Sequence, residues 1–120
     1  MARSDVKAVT ITADTVALDA DGISVAAAVG NNAALVIGGA LASGGAVALS
    51  HGRVVTILSA GDDSAKSFTV TGTDVNGDAQ TESITGANAG TATGSSYFLT
   101  ISGISAVGNP AGNVSAGVNG

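Results

Sequence analysis

The sequence predicts an all-β protein, a single-domain β-sandwich or barrel of about eight to ten short strands with Gly-rich turns. Glycine or asparagine pairs interrupt the apolar runs every five to eight residues, which is shorter than a typical helix of about 11 residues. β-Branched and threonine-rich segments recur along the chain, as expected of strands in a sheet. No sustained helical heptad occurs. These three patterns favour a sheet protein.

The composition is dominated by small side chains. Gly, Ala, Ser and Thr fill 66 of the 120 positions, and only two Phe and one Tyr are present. Apolar burial stabilises a fold by about 25 cal/mol per Å², so small side chains contribute little each. We therefore expect an isolated protomer to be marginally stable and to complete its burial against partners, as a homo-oligomer.

Charge and residue content argue against several functions. A net charge of −5 with only four basic residues argues against nucleic-acid binding, which needs a basic face. The absence of Cys and the single His51 argue against a thiolate metal site and a His-based metal cluster, and we expect no cofactor. The uncharged run 22–52 is interrupted by seven glycines, so we expect no membrane span. Acidic and basic residues within positions 1–7 are unlike a secretory signal.

The first half of the chain gives short predicted elements. Residues 6–12 read as a strand, and 16–18 extend into a second one. Asp19–Gly22 predicts a turn in which Gly22 supplies a positive φ. The alanine-rich stretch 23–49 is compatible with strands or with a short helix. Residues 54–58 predict a buried strand, followed by a loop at 60–63.

The clearest local signal is a β-hairpin around Asp74–Gly77. A three-residue loop, with a type I turn and Gly77 in the left-handed region, pairs Phe68 with Ile84 and Thr69 with Ser83. This register places like residues together on each face, whereas a two-residue loop would set apolar residues against polar ones. We therefore predict a bulged hairpin with an apolar face formed by Phe68, Val70 and Ile84, and a threonine ladder opposite.

The last third of the chain predicts further strands. Residues 86–96 form a loop or a weak edge strand, and 97–102 form a strand. Ile101 and Ile104 have opposite parity, so a bulge at Gly103 would let both face the core. After a turn at residues 108–112, residues 113–118 predict the closing strand.

Tyr97 and Phe98 form the only aromatic pair. Neighbouring strand residues point to opposite faces, and parity with Leu99 and Ile101 puts Tyr97 inward and Phe98 outward. An outward Phe98 is a candidate interface anchor. The alternative is that a bulge reverses the parity and makes Phe98 a core residue.

Candidate catalytic side chains are few. Ser50 precedes His51, but adjacent strand residues point apart, which argues against a nucleophile–base pair. Asp62 and Asp63 could hold a hard cation, although solvated turn aspartates are the simpler interpretation. Glycoside hydrolysis needs paired carboxylates, and the candidates are Asp63, Asp74, Asp78 and Glu82. The chain also has few aromatic side chains to bind a sugar. We therefore predict that the chain is not an enzyme.

Residues 59–98 resemble small virion proteins of tailed bacteriophages. The similarity centres on FTVTGTDVNGDAQTESITG at residues 68–86 and on Tyr97-Phe98, and it continues in the Gly-rich ending 111–118. It covers roughly residues 53–118 and is a pattern of turns and composition without catalytic residues.

The resemblance implies a structural virion protein, foremost a decoration (cement) protein that binds the outer capsid surface and stabilises the shell. The implied partner is the major capsid protein, the implied location is the virion after synthesis in the bacterial cytoplasm, and a homotrimer would suit a local threefold position. The alternatives are a tail or fibre subunit and, less favoured, an Ig-like adhesion or carbohydrate-binding module. We expect residues 1–8 to form an N-terminal arm in which Arg3 and Lys7 contact an acidic capsid surface, and residues 9–120 to form one β domain.

Overall fold

The computed structural model describes residues 19–119, and these residues form an all-β fold without any helix. The architecture is that of a single-domain β-sandwich-like protein, as the sequence predicts. The predicted strands at 6–12 and 16–18 and the predicted arm at 1–8 lie outside the described residues.

Eight strands make up the described part of the chain. They are β1 (Asp19–Ala28), β2 (Ala42–Ser43), β3 (Ala46–Ser59), β4 (Ser67–Thr73), β5 (Ala79–Thr85), β6 (Thr91–Thr93), β7 (Phe98–Val107) and β8 (Asn113–Asn119). All pairings are antiparallel. The hydrogen-bonded order is β1-β8-β3-β7-β4-β5, with β2 and β6 also paired to β3.

The long strand β3 belongs to two groups of strands. Its second half, Val54–Ser59, pairs with β8 on one side and β6 on the other. Its first half pairs with β2 and β7. Buried side chains from both groups form a single core, which includes Ile23, Ile57 and Val118 from the first group and Phe68, Phe98 and Ile101 from the second. The two groups therefore share β3 and contribute to one core.

A register change in β3 marks the passage between the two groups. Ala48 pairs with Thr100 and Arg53 with Phe98, so five positions along β3 correspond to two along β7. The extra residues around Gly52 form a large bulge, and bulges bend and twist a strand. The sequence predicts a strand at 54–58, whereas the structure extends this strand back to Ala46 as one bent strand.

The β4–β5 hairpin has the register that the sequence predicts. Phe68 pairs with Ile84, Thr69 with Ser83 and Thr71 with Thr81. Gly77 has a φ of +85°, and its N–H donates to the Asp74 carbonyl at 3.0 Å, closing the turn. Phe68, Val70 and Ile84 are buried, and the threonines lie on the opposite face. The predicted bulged hairpin is confirmed.

The bulge predicted at Gly103 in β7 is present, one residue earlier than predicted. Gly103 pairs with Thr71 while Ile101 pairs with the next residue, Gly72, so Ser102 is the extra residue. Ile101 and Ile104 are both fully buried. Their opposite parity in the sequence is thus resolved by one bulge, as the residue pattern requires.

The predicted turn at Asp19–Gly22 is wrong, because these residues begin β1. Gly22 is not among the residues with positive φ; its carbonyl instead accepts a hydrogen bond from Leu41 N–H at 2.8 Å. A Cβ on Gly39 would collide with this part of the β1 backbone. The alanine-rich stretch 23–49 forms strands and a connecting segment, so the helical alternative is excluded.

The predicted orientation of Tyr97 and Phe98 is reversed in the structure. Phe98 is fully buried, and Tyr97 is 59% exposed. The prediction assumed that side chains alternate regularly between the two faces from Ile101 back to Tyr97. This alternation is interrupted because the β3–β7 register changes between Thr100 and Phe98. The alternative interpretation, in which Phe98 is a core residue, is the one the structure supports, and Phe98 is no longer a candidate interface anchor.

Replacing Gly77 tests the hairpin turn. A Cβ at Gly77 would meet no atom within 4 Å, so Gly77→Ala isolates the cost of a left-handed backbone, about 1 kcal/mol. Gly103→Ala is the matched control, because its Cβ also meets nothing and its φ is not positive. Urea denaturation should show a lower free energy of unfolding for Gly77→Ala only; equal effects would contradict the turn assignment.

Truncating the two aromatic residues separately tests their orientation. Phe98→Ala should lower the free energy of unfolding by about 3–5 kcal/mol, because it leaves a cavity in the core. Tyr97→Ala should cost about 1 kcal/mol or less, since most of its ring contacts solvent. If Phe98→Ala does not fold, Phe98→Leu provides a milder comparison. A larger loss for Tyr97→Ala would contradict the burial seen here.

Candidate functional site

The most unusual surface of the described chain is the end of β1. Four consecutive residues, Val25–Ala28, are all exposed, and Val25 is 56% exposed. Side chains alternate between the two faces of a strand, so here neither face is covered. We call Val25–Ala28 the β1 edge. It combines apolar side chains with an exposed strand backbone.

The β1 edge lies at the end of the strand order. Within residues 19–119, β8 is the only strand that pairs with β1. On its other side, Gly39 N–H donates to Ile23 O at 2.9 Å and Leu41 N–H donates to Gly22 O. These contacts cover the beginning of β1 and stop before Val25. Among residues 19–119, no backbone group pairs with the other side of Val25–Ala28. Open strand sides of this kind are templates for pairing with another chain.

A shallow apolar groove runs beside the β1 edge. It is lined by Val25, Ala26, Ala27, Val36 and Gly38 and has a volume of about 300 Å³. Val36 is 76% exposed, which is high for a large apolar residue. The groove therefore places apolar contacts next to open backbone groups, and this combination is typical of β-strand addition sites.

The region around the β1 edge lacks formal charge. Residues 22–52 contain no Asp, Glu, Lys or Arg. Natural proteins protect exposed strand edges with lysine, proline, inward-pointing charges or β-bulges. Val25–Ala28 contains no charge and no proline, and its register with β8 is irregular between Ser24 and Ala27. At the other end of the order, β5 carries Glu82 and Gln80, and both bind the segment that precedes β7. The two ends of the strand order are thus chemically different.

A second, smaller exposed cluster lies where the β3 bulge meets the hairpin turn. Val75 and Tyr97 are each more than half exposed, and both lie next to Gly52, where an added Cβ would fall 2.5 Å from a Val75 methyl carbon and 3.3 Å from the Tyr97 Cβ. His51 and Arg53 flank the same glycine. We call this group the Tyr97 cluster.

The Ser50–His51 pair is closer than the sequence suggests. Ser50 Oγ and His51 Nδ1 lie 3.2 Å apart, because β3 departs from regular pairing in this segment. Arg53 Nε, however, donates to His51 Nε2 at 3.3 Å. This bond assigns the proton of a neutral ring to Nδ1, which then donates to Ser50 Oγ. In that arrangement the imidazole does not take a proton from Ser50.

Asp62 and Asp63 occupy different environments. Asp62 is exposed, and its Oδ1 accepts hydrogen bonds from Ser64 N–H (3.1 Å) and Ser64 Oγ (2.6 Å), as predicted for a turn aspartate. Asp63 is fully buried, which corrects the expectation that it is solvated. Its Oδ1 accepts from Ala111 N–H at 2.7 Å, tying this loop to the turn before β8.

Two other candidate carboxylates, Asp74 and Glu82, also accept hydrogen bonds from backbone N–H groups. Asp74 Oδ1 accepts from Asn76 N–H and Asp78 N–H within the hairpin turn. Glu82 Oε2 accepts from Ser95 N–H at 2.7 Å and from Ser96 N–H at 3.3 Å. These carboxylates therefore fix loops to the sheet. Among residues 19–119, no three His, Cys, Asp or Glu side chains come together as a metal site.

The structure locates one of the three predicted interface residues. Arg3 and Lys7 lie outside the described residues, and Phe98 is in the core. The β1 edge was not predicted, although its signal is present in the sequence. That signal is the uncharged run 22–52, which contains the β1 edge. The same run raises the question of a membrane span. The described part of the chain contains no helix with the length and hydropathy needed to cross a membrane.

Titration of Asp62 tests the local geometry of its turn. The hydrogen bonds from Ser64, the side-chain bond first and the backbone bond second, lower the pKa of the Asp62 carboxyl below its ordinary value. A depressed pKa means that this small stabilisation is present above the unfolded-state pKa and is lost as the pH falls through the folded-state pKa. In carboxyl NMR titrations, Ser64→Ala should raise the Asp62 pKa part of the way back. Ser83→Ala, on exposed β5, should leave it unchanged; equal shifts would contradict the assignment.

Comparison with known proteins gives no identification. No protein family, no curated protein and no solved structure matches this chain. Residues 19–119 show an all-β scaffold in which the end of β1 is an exposed, uncharged strand edge.

Proposed function

We propose that this chain is a structural protein of a bacteriophage virion, and specifically a decoration protein that binds the outer capsid surface and stabilises the shell. The observation that carries the proposal is the β1 edge, an apolar surface suited to binding another protein. Association with a shell adds burial to a fold with few large side chains, and any partner that binds only the folded state stabilises it. The alternative within the same class is a tail or fibre subunit.

The resemblance of residues 59–98 to phage virion proteins also supports the proposal, because several residues of the shared pattern fix the backbone of the hairpin and its neighbouring loops. Gly77 has the positive φ of the turn. A Cβ on Gly72 would collide with the Thr100 carbonyl, and one on Gly86 would crowd Asp63. Glu82 holds the loop before β7. The pattern thus specifies a hairpin and its neighbouring loops, so similarity in it indicates similarity of scaffold.

The charge distribution suggests how the chain would contact a shell. Among residues 19–119, Arg53 and Lys66 are the only Lys or Arg. Arg3 and Lys7 are therefore half of the basic residues, and in this proposal they contact acidic groups of the major capsid protein. Such contacts would weaken with increasing salt, because exposed charges are screened.

Electron microscopy of phage particles made with and without this chain tests the proposed function. Symmetric density on the shell that disappears when the chain is deleted is the expected result. Adding back the full chain should restore this density, while a chain lacking residues 1–7 should show lower occupancy. Density along the tail would favour the tail or fibre alternative. Absence of the chain from purified particles, measured by mass spectrometry, would contradict both.

A further inference from the structure

The groove beside the β1 edge has two walls. One wall is Val25–Ala27, and the other is the segment Val36–Gly38. This second segment lies between two anchored residues, since the N–H groups of Leu35 and Gly39 donate to other segments at 2.8 and 2.9 Å. Among residues 19–119, no backbone group bonds to the backbone of Val36–Gly38. A strand in this groove would therefore meet both apolar side chains and backbone groups that it can pair.

The β1 edge is irregular, and this limits what can pair with it. Ser24 pairs with Ala116 and Ala27 with Val114, so three steps along β1 correspond to two along β8. A bulge of this kind is one of the devices that keep free strands from adding to an edge. A tethered strand is less affected, because a covalent link gives it an effective concentration of roughly millimolar. The geometry therefore favours an occupant from the same chain.

Residues 1–18 lead directly into β1, which begins at Asp19. From Asp19 to Val25 the strand advances by about 20 Å, at about 3.3 Å per residue. The seven steps from residue 12 to Asp19 span at most about 24 Å when extended. Residues 6–12 can therefore lie beside the β1 edge, antiparallel to it, with residues 13–18 as the connection. Antiparallel pairing also agrees with all the strand pairs among residues 19–119.

The sequence of residues 6–12 suits this groove. The segment is rich in β-branched residues and is predicted to be a strand. Val9 and Ile11 share one face, and Thr10 lies on the other, because side chains alternate along a strand. Lys7 shares the face of Val9 but lies near the end of the segment, where its long side chain can reach solvent. The face with Val9 and Ile11 can therefore cover the apolar groove while Thr10 faces solvent.

We propose that residues 6–12 pair with the β1 edge of their own chain and fill the groove, with Val9 and Ile11 against its walls. The segment adds an outer strand next to β1 and covers Val25 and Val36. This placement is a property of the free chain in solution, and it holds whether or not the protein is found on a phage particle.

The pairing has one consequence for binding to a shell. Arg3 and Lys7 then lie at the same end of the strand order as the β1 edge, so that basic side chains and apolar surface can contact a shell together. This consequence rests on the proposed function, whereas the pairing itself does not.

Residue-resolved amide hydrogen exchange of the full chain tests the pairing. The N–H groups of Val25–Ala28 that do not bond to β8 should be protected, and equally so from micromolar to millimolar protein. Ile11→Asp should accelerate their exchange by about tenfold or more, because it would place a charge in the apolar groove. Thr10→Asp is the matched control, since it adds the same charge on the solvent face and should leave the exchange nearly unchanged. Protection of the β4–β5 hairpin reports that each variant is folded.

A disulfide within one chain gives a second readout. The chain has no cysteine, so Thr10→Cys can be combined in turn with a cysteine at each of the positions 25–28. At micromolar protein, oxidation should link at least one of these pairs within a single chain, because cross-strand neighbours lie within disulfide range. Thr10→Cys with Ser83→Cys is the control, since Ser83 is exposed on β5 at the opposite end of the strand order. A link in the control pair alone would contradict the pairing.

Three exchange results would overturn the proposal. The outward N–H groups of Val25–Ala28 could exchange as fast as unpaired backbone, which would leave the β1 edge uncovered in the free chain. Their protection could rise with concentration, which would assign the edge to a second copy. Alternatively, Ile11→Asp and Thr10→Asp could have equal effects, which would exclude the stated face of the segment from the groove. None of these results would affect the deletion of the whole chain from phage particles, so the two proposals can fail independently.

Discussion

The sharing of β3 between two groups of strands is the constraint on which the rest of the structure depends. Val54–Ser59 align β8 and β6, while the first half of the strand aligns β7 and β2. The bulge around Gly52 changes the direction of the strand between these halves. It also fixes where Phe98 enters the core and where Tyr97 faces solvent. A chain with few large side chains thus obtains one core by bending a single strand.

The features that could be predicted from the sequence depend on residues close together along the chain. The hairpin register follows from turn chemistry at Asp74–Gly77 and from matching faces on either side. The β7 bulge follows from the parity of Ile101 and Ile104. In both cases only one arrangement buries the apolar residues, so a local pattern was sufficient.

The features that the sequence did not predict depend on contacts between distant segments. The orientation of Phe98 is set by its register with Arg53, which no local pattern reports. Asp63 is buried because its carboxylate binds Ala111 N–H, 48 positions later. The β1 edge is open because other segments cover only the first part of β1. Exposure of this kind is decided by the whole topology, and a short apolar strand looks the same in sequence whether it is covered or not.

The position of β8 has a consequence for how the chain reaches its structure. β8 lies between β1 and β3, yet it is synthesised after every other described strand. Until it is made, β1 and the second half of β3 lack the neighbour that joins them. The incomplete chain on the ribosome therefore carries a β1 that is unpaired on its β8 side and a β3 whose second half is paired only with β6. Intermediates with such exposed strand edges are prone to aggregate. Because pairing of β1 with β8 closes a loop of most of the chain, this step should also be slow relative to the local hairpin.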